Sequence, residues 1–322
     1  METPPCPHCR IPKDPSEKRS FVVRYGFFRR NSDQSDQRRY RCKGCRRTFS
    51  DASFSICYRQ KKRHLNGTLM EFLASASSQR RLAMNLKVNR KTVVRKFLFL
   101  GHVADHLLKE DRNNFGKSKV VEFDDLETFE HSKLKPLSVC AVVEHKSRRI
   151  LGFNVAQMPA NGPLAKKSRA KYGKRKDQRR KAREGLFSEL RAFIDPNAVI
   201  KSDENPHYGP TVETYFPNAK HLKFKGKRGC VVGQGELKAA RFDPLFSLNH
   251  TFAMFRANVN RLARRTWNTT KKRDRLHLHI AIYALFHNWK LIPRDQRPAS
   301  PLELLRASVE SRDASATAKG AS

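Results

Sequence analysis

Two cysteine pairs have the spacing of metal ligands: Cys6-Pro-His-Cys9 and Cys42-Lys-Gly-Cys45. Two intervening residues let both thiolates of a tight turn face one ion. Two such turns complete a tetrahedral four-thiolate site with no open position, the chemistry of a structural zinc. The 32 residues between the pairs exceed the usual spacing of about 15 to 20, so an extended hairpin or loop is expected there. Gly44 suits the left-handed turn of a knuckle, and Tyr40 and Phe49 offer a minimal core. His8 lies between two ligands but reads as a surface residue, because four cysteines already fill the site. Seven cysteines in all, an odd number, fit metal ligation in a reducing compartment better than a disulfide framework. Cys57, Cys140 and Cys230 receive no role; Cys140, inside the apolar run LSVCAVV, reads as a small buried residue.

A second set of chemistry-bearing residues is acidic. In KVVEFDDLETFEH two aspartates, Asp124 and Asp125, close an apolar run, and Asp203 ends a predicted strand, AVIKSD. Successive strand residues point to opposite faces, so Asp124 and Asp125 cannot serve one metal site. Carboxylates at the tips of neighbouring strands can cradle two divalent ions, magnesium or manganese, which clamp the attacking and leaving oxygens of a phosphodiester. A lone aspartate at a strand end is more often a turn or helix cap. Two such strand ends, in a chain that also carries the cysteine knuckles and a large positive charge, favour the metal reading.

The elements that must position these residues form an α/β chain in several parts. Residues 1–57 are charged and poor in aliphatic side chains, a ribbon that cannot fold without a staple. Residues 64–110 turn helical. SQRRLAMNLKVNRKTVVRKF predicts a helix, a turn over 86–89 and a second helix N-capped by Asn89. Leu82, Ala83, Val88, Val93 and Phe97 would form the core of this helix-turn-helix, leaving Arg90, Lys91, Arg95 and Lys96 outside as DNA-contacting candidates. Residues 117–292 begin with three strand-like runs, KVVEF, LSVCAVVEH and RILGFNVAQM, and continue as an α/β domain. Within it, 164–184 is a basic insertion. Its core, 166–183, holds eleven basic residues and one acid, either a solvated mobile segment or a DNA contact. A long helix is expected after Pro244, with the apolar stripe Leu245, Leu248, Phe252, Phe255, Val259 and Leu262, and another over 273–289. Residues 293–322 read as a tail, partly disordered.

The charge decides the partner class. Sixty-seven Lys+Arg against 30 Asp+Glu give a net charge of +37, which a polyanion would relieve. With 38% hydrophobic residues the chain still buries a core, so it is not a disordered basic tail. No apolar run approaches the roughly 18 residues that span a bilayer, and METPPCPHCR lacks a secretory signal, so no membrane partner and a cytoplasmic, nucleoid-associated location are expected. The loop RYGFFRRNSDQSDQRRYR interleaves arginine with tyrosine and phenylalanine, as a nucleic-acid-binding ribbon would.

Taken together, CPHC with RCKGCRRTFS, the helix-turn-helix, EFDDLETF, SDENPHY and SLNHTFAMFRANVNRLARRTW resemble a bacterial insertion-sequence transposase with a zinc-ribbon head and an RNase H-like DDE catalytic domain. The resemblance covers about residues 1–300, and PRDQRPASPLELL is similar to the tail of such enzymes. It implies that Asp124 is the first metal ligand and Asp203 the second. The third acid, expected near the start of the last long helix, falls on Asn249, whose neutral carbonyl is a weaker ligand for a hard cation. Glu236 and Asp243 are acids near enough in sequence to substitute. The implied activity is in-line attack of water, then of a 3′-hydroxyl, on DNA at the element's terminal repeats and at the target, by a homodimer or higher synaptic oligomer. Two other readings use the same residues. One is a transposase-derived repressor, catalytically inactive for want of the third acid. The other is an RNA-binding zinc-ribbon protein, which leaves the aspartate strands unexplained.

Overall fold

The computed structural model describes residues 3–9, 21–31, 34–225, 243–263 and 267–291. The chain divides into two compact units, one built on residues 1–68 and one on 69–298.

The first unit is a three-stranded antiparallel sheet of β1 (Val22–Arg29), β2 (Asp36–Cys42) and β3 (Thr48–Ser50), in that order. The β1–β2 hairpin is the extension that the long cysteine spacing requires. Its register shifts between Arg24 and Phe27, where Gly26 at φ 80° supplies a conformation that other residues adopt only with strain. The core is small: Cys6, Val22, Tyr40, Cys42 and Phe49 are buried, and the Tyr40 and Phe49 rings stack at 5.4 Å. Apolar surface this small among the described residues predicts a fold that needs a further staple.

Helix α1 (Leu65–Leu73) leads out of this unit, followed by α2 (Gln79–Asn85) and α3 (Arg90–Asp111). Their starts are fixed by side-chain caps: the Ser78 side chain accepts from Arg81 N at 3.2 Å, and Asn89 Oδ1 from Lys91 N at 2.8 Å. Leu82, Ala83, Val93 and Phe97 are buried and Val88 is half-buried.

The larger sheet holds β4 (Ser118–Phe129), β5 (Pro136–Glu144), β6 (Ile150–Gln157), β7 (Ile194–Asp203) and β8 (Lys220–Phe224) in the order β6-β5-β4-β7-β8. The first three strands form an antiparallel meander, and β7 and β8 add in parallel to β4. This strand order and polarity are those of an RNase H-like fold. Between β6 and β7 run α4 (Leu164–Tyr172) and α5 (Arg179–Leu190). Helix α6 (Gly209–Tyr215) links β7 to β8, and α7 (Phe246–Asn258) and α8 (Arg273–Leu291) follow. One sheet face buries Val121, Phe123 and Ile200 against Leu186 and Phe187 of α5 and Val212 of α6. The opposite face takes α7 and α8. Helix α3 lies so close to α8 that a Cβ on Gly101 would stand 2.6 Å from Leu278 Cβ.

Three elements differ from the sequence expectation. Strand β4 does not stop at the aspartates; it continues to Phe129 because β5 pairs with it as far as Phe129–Pro136. Helix α7 stops at Asn258, whose carbonyl accepts Ala76 N at 2.8 Å instead of the next helical turn. Val259 is already extended, yet Val259 and Leu262 are buried, so the apolar stripe outlasts the helix. The basic insertion forms α4 and the start of α5, and it is tied down by Ser168 Oγ on Leu134 O (2.6 Å) and by Arg175 on Met158 O (3.2 Å) and Pro136 O (3.3 Å).

Candidate functional site

In the first unit, Cys6, Cys9, Cys42 and Cys45 present sulfurs that all lie within 4.8 Å of one another. The Cys6–Cys45 and Cys9–Cys42 separations are both 3.6 Å. With zinc–thiolate bonds of about 2.3 Å, the edge of a tetrahedral site is about 3.8 Å, so this set fits a tetrahedral four-thiolate ion. The Cys45 backbone N–H lowers the Cys42 thiol to about 7, toward the thiolate that a metal ligand must be. His8 is exposed and contributes only its backbone N–H, to Cys6 Sγ at 3.4 Å, in agreement with its reading as a surface residue. Cys57 is fully buried and accepts Asn66 Nδ2 at 3.4 Å, and Cys140 is buried in β5. Cys230 lies outside the described residues.

In the second unit the aspartates are set by sheet register. Val121 pairs with Ile200 and Glu122 with Lys201 where the parallel β4–β7 ladder ends; the same register carried two residues further would bring Asp124 level with Asp203, the last residue of β7, and the Asp203 charge is felt at Asp124. Beyond that point β7 has ended while β4 runs on to Phe129, so the two acids lie at the carboxyl end of a parallel strand, the usual ligand position of an open α/β sheet. Asp124 Oδ1 accepts Tyr208 Oη–H at 2.8 Å and the Asp125 backbone N–H at 2.7 Å. Burial pushes its carboxyl up to about 6, and the negative charge of Asp203 adds to the shift. Asp203 Oδ1 accepts Asn205 N at 3.0 Å.

Asp125 takes the other face, as strand alternation requires. It lies 3.6 Å from Arg183 of α5, a guanidinium only 2% exposed that also binds His207 O at 2.8 Å and Thr211 Oγ1 at 3.3 Å. Part of the sequence's basic insertion is thus core, holding the strand that carries the acids.

The start of α7 docks on the face that Asp124 shares with Glu122. Leu248 N donates to Glu122 Oε2 at 2.8 Å, and Lys146 N to Ser247 Oγ at 2.9 Å. Asn249, the next residue, gives its amide N–H to Asp243 Oδ2 at 3.0 Å. Among the described residues, Asp124 and Asp203 gather no third carboxylate or imidazole into a ligand cluster. Glu236 lies outside the described residues.

Arg90, Lys91 and Arg95 are exposed along the first turns of α3. Lys96 is not: it is 4% exposed. It follows Val93 by three residues and precedes Leu100 by four, which puts it on the buried stripe of the helix, so its expected place among the outward cations is corrected. Sequence reasoning also missed Glu122, which is fully buried and bonded to His145 Nδ1, whose Nε2 lies 3.3 Å from Lys201 Nζ. The signal was present as a lone acid inside the apolar run KVVEF. Tyr208, in SDENPHY, carries no sequence signal for its contact to Asp124, because that partner comes from a strand 84 residues earlier.

No protein-family model matches the sequence, and a search of curated proteins returns no match. Among solved structures, the chain is similar to the Mos1 strand transfer complex at 14% identity, covering 72% of this chain and 78% of that one with a TM-score of 0.23. It is similar to a piggyBac transposase synaptic complex with hairpin DNA at 6% identity, 80% and 72% coverage and a TM-score of 0.35. The catalytic domain of Mos1 mariner transposase aligns at 13% identity, 61% and 91% coverage and a TM-score of 0.25. At these scores the fold rests on the chain's own strand order and register.

Proposed function

We propose that the chain is an insertion-sequence DNA transposase that cleaves and joins DNA at a two-metal site held by Asp124 and Asp203. The observation that carries this reading is that the β4–β7 register directs both carboxylates to one sheet face where β7 ends, with Asp124 raised toward neutrality by burial and by the charge of Asp203. Two adjacent acids that repel one another are a site that a divalent cation relieves. The chemistry supplied by a bound pair of magnesium or manganese ions is activation of the attacking oxygen and stabilisation of the leaving one. The protein's own part is positional. Tyr208 and the Asp125 N–H orient Asp124, Glu122 anchors the start of α7, and the third ligand is Asn249 in that turn or Glu236, with Asp243 as a further acid able to substitute. Arg90, Lys91 and Arg95 read the element ends, and the four cysteines hold zinc that folds the ribbon.

A repressor that binds the ends without cutting is the second reading, favoured by one observation: the third position is an amide turned onto Asp243. A duplex carrying the element's ends, incubated with magnesium, separates the two. Nicking by the wild type that Asp203→Asn abolishes supports the enzyme, whereas tight binding with no nicking by either protein supports the repressor.

A further inference from the structure

Beneath the β1–β2 hairpin, the first unit contains a cleft of about 400 Å³ that the cysteine site does not use. Among the described residues its walls carry five cations, Arg30, Arg39, Arg59, Lys61 and Arg63, and no carboxylate. Phe28 and Tyr58 also line it and keep large exposed areas, 38% and 42%. Like charges converging on one concavity raise a local positive potential that an anion relieves. Exposed aromatic rings in the same concavity are apolar surface that water solvates poorly and that a flat π-system covers well. The hairpin repeats the combination of cation and ring: Arg38 stands 4.5 Å from the Phe27 ring centroid, and Arg41 and the cleft-lining Arg39 are each 5.6 Å from that of Tyr25.

A ligand that satisfies both features has phosphates on a flexible backbone and an unpaired base. Duplex DNA offers the phosphates, but its bases are stacked on one another and cannot lie against Phe28 or Tyr58. Cation-lined grooves with aromatic platforms are the physical solution for binding single strands. A cleft of this volume, at the small end of ligand pockets, admits on the order of one nucleotide. We infer that the ribbon binds single-stranded DNA, with one base seated on Phe28 and Tyr58 and the flanking phosphates on Arg39, Arg59 and Lys61. This role stands apart from strand cleavage and requires only the folded ribbon.

The test uses the full-length, zinc-loaded protein and the anisotropy of labelled oligonucleotides: a twelve-residue thymidine strand, its ribo-uridine counterpart, and a mixed duplex of the same length. The variant carrying Phe28→Ala and Tyr58→Ala is expected to lose roughly tenfold or more in affinity for the thymidine strand while its duplex affinity moves by less than about threefold. Tyr58→Phe alone, which keeps the ring, is expected to bind as the wild type does. Zinc content measured on every variant must match the wild type, which separates loss of stacking from loss of fold. Unchanged thymidine-strand affinity in the double variant, or equal losses on strand and duplex, would overturn the inference. So would a preference of more than about tenfold for the ribo-uridine strand. Asp203→Asn is expected to bind the strand normally, so failure of the cleavage reading leaves this result intact.

Discussion

At the scale of single residues, Asp124 carries a cost that its proposed ligand would remove. Its carboxyl titrates near 6 in the folded chain against an ordinary 3.8. The folded state therefore binds the proton more tightly than the unfolded state, and stability falls as pH rises from about 4 to about 6, with the full cost present above 6. Asp124→Asn keeps an acceptor for Tyr208 and for the Asp125 N–H but removes the charge. It is expected to be more stable than wild type by about 1–3 kcal/mol at pH 7.5 without divalent metal, and to show no advantage below pH 4. Urea titrations at the two pH values check this. Because only the ionised carboxylate ligates, manganese affinity is expected to weaken as pH falls through 6, which a calorimetric titration reads directly. Asp125→Asn has a different expected effect. It removes the carboxylate facing the buried Arg183, so it should destabilise by about 1–3 kcal/mol while leaving metal affinity unchanged.

Among the elements, α3 and α8 meet at a glycine: of the described glycines, Gly101 leaves the least room for a Cβ. A methyl at Gly101 would meet the Leu278 side chain at 2.6 Å, closer than packed carbons come. The gain in helix propensity from Gly101→Ala is about 1 kcal/mol, and overpacking costs about 1–3 kcal/mol, so net destabilisation is expected, with a lowered Tm by scanning calorimetry. What could be read of these elements from sequence was what local rules determine. Asn89 could be placed as a cap because its side chain reaches only to Lys91 N, and the opposite faces of Asp124 and Asp125 follow from a period of two. Where distant partners decide, the sequence was silent. The end of α7 depends on Ala76, and the length of β4 on how far β5 runs beside it. Arg183 looked like one more cation in a basic run because its partners come from β4, the β7–α6 connection and α6. The misplacement of Lys96 had no such excuse, since its spacing from Val93 and Leu100 already puts it on the inner face.

For the molecule as a whole, a net charge of +37 predicts that the proposed association with DNA falls steeply with salt. Substitutions in the basic stretch at Lys166, Lys167 and Lys174 are expected to weaken cognate and random duplex alike. Changes at Arg90, Lys91 and Arg95 should selectively weaken the cognate ends, and competition titrations at two salt concentrations distinguish these outcomes. Chelation of zinc is expected to unfold the ribbon, since its few buried side chains cannot hold the hairpin without the four cysteines' ligand. No described helix is long and apolar enough to cross a membrane. The central claim is that Asp124 and Asp203, not Asp125, form the metal site that cuts DNA. Its most direct test is magnesium-dependent nicking of end-bearing duplex by Asp124→Asn and Asp125→Asn, measured side by side under conditions where both remain folded. The account predicts no cleavage by the first and near-normal cleavage by the second. Full activity in Asp124→Asn together with none in Asp125→Asn would contradict it.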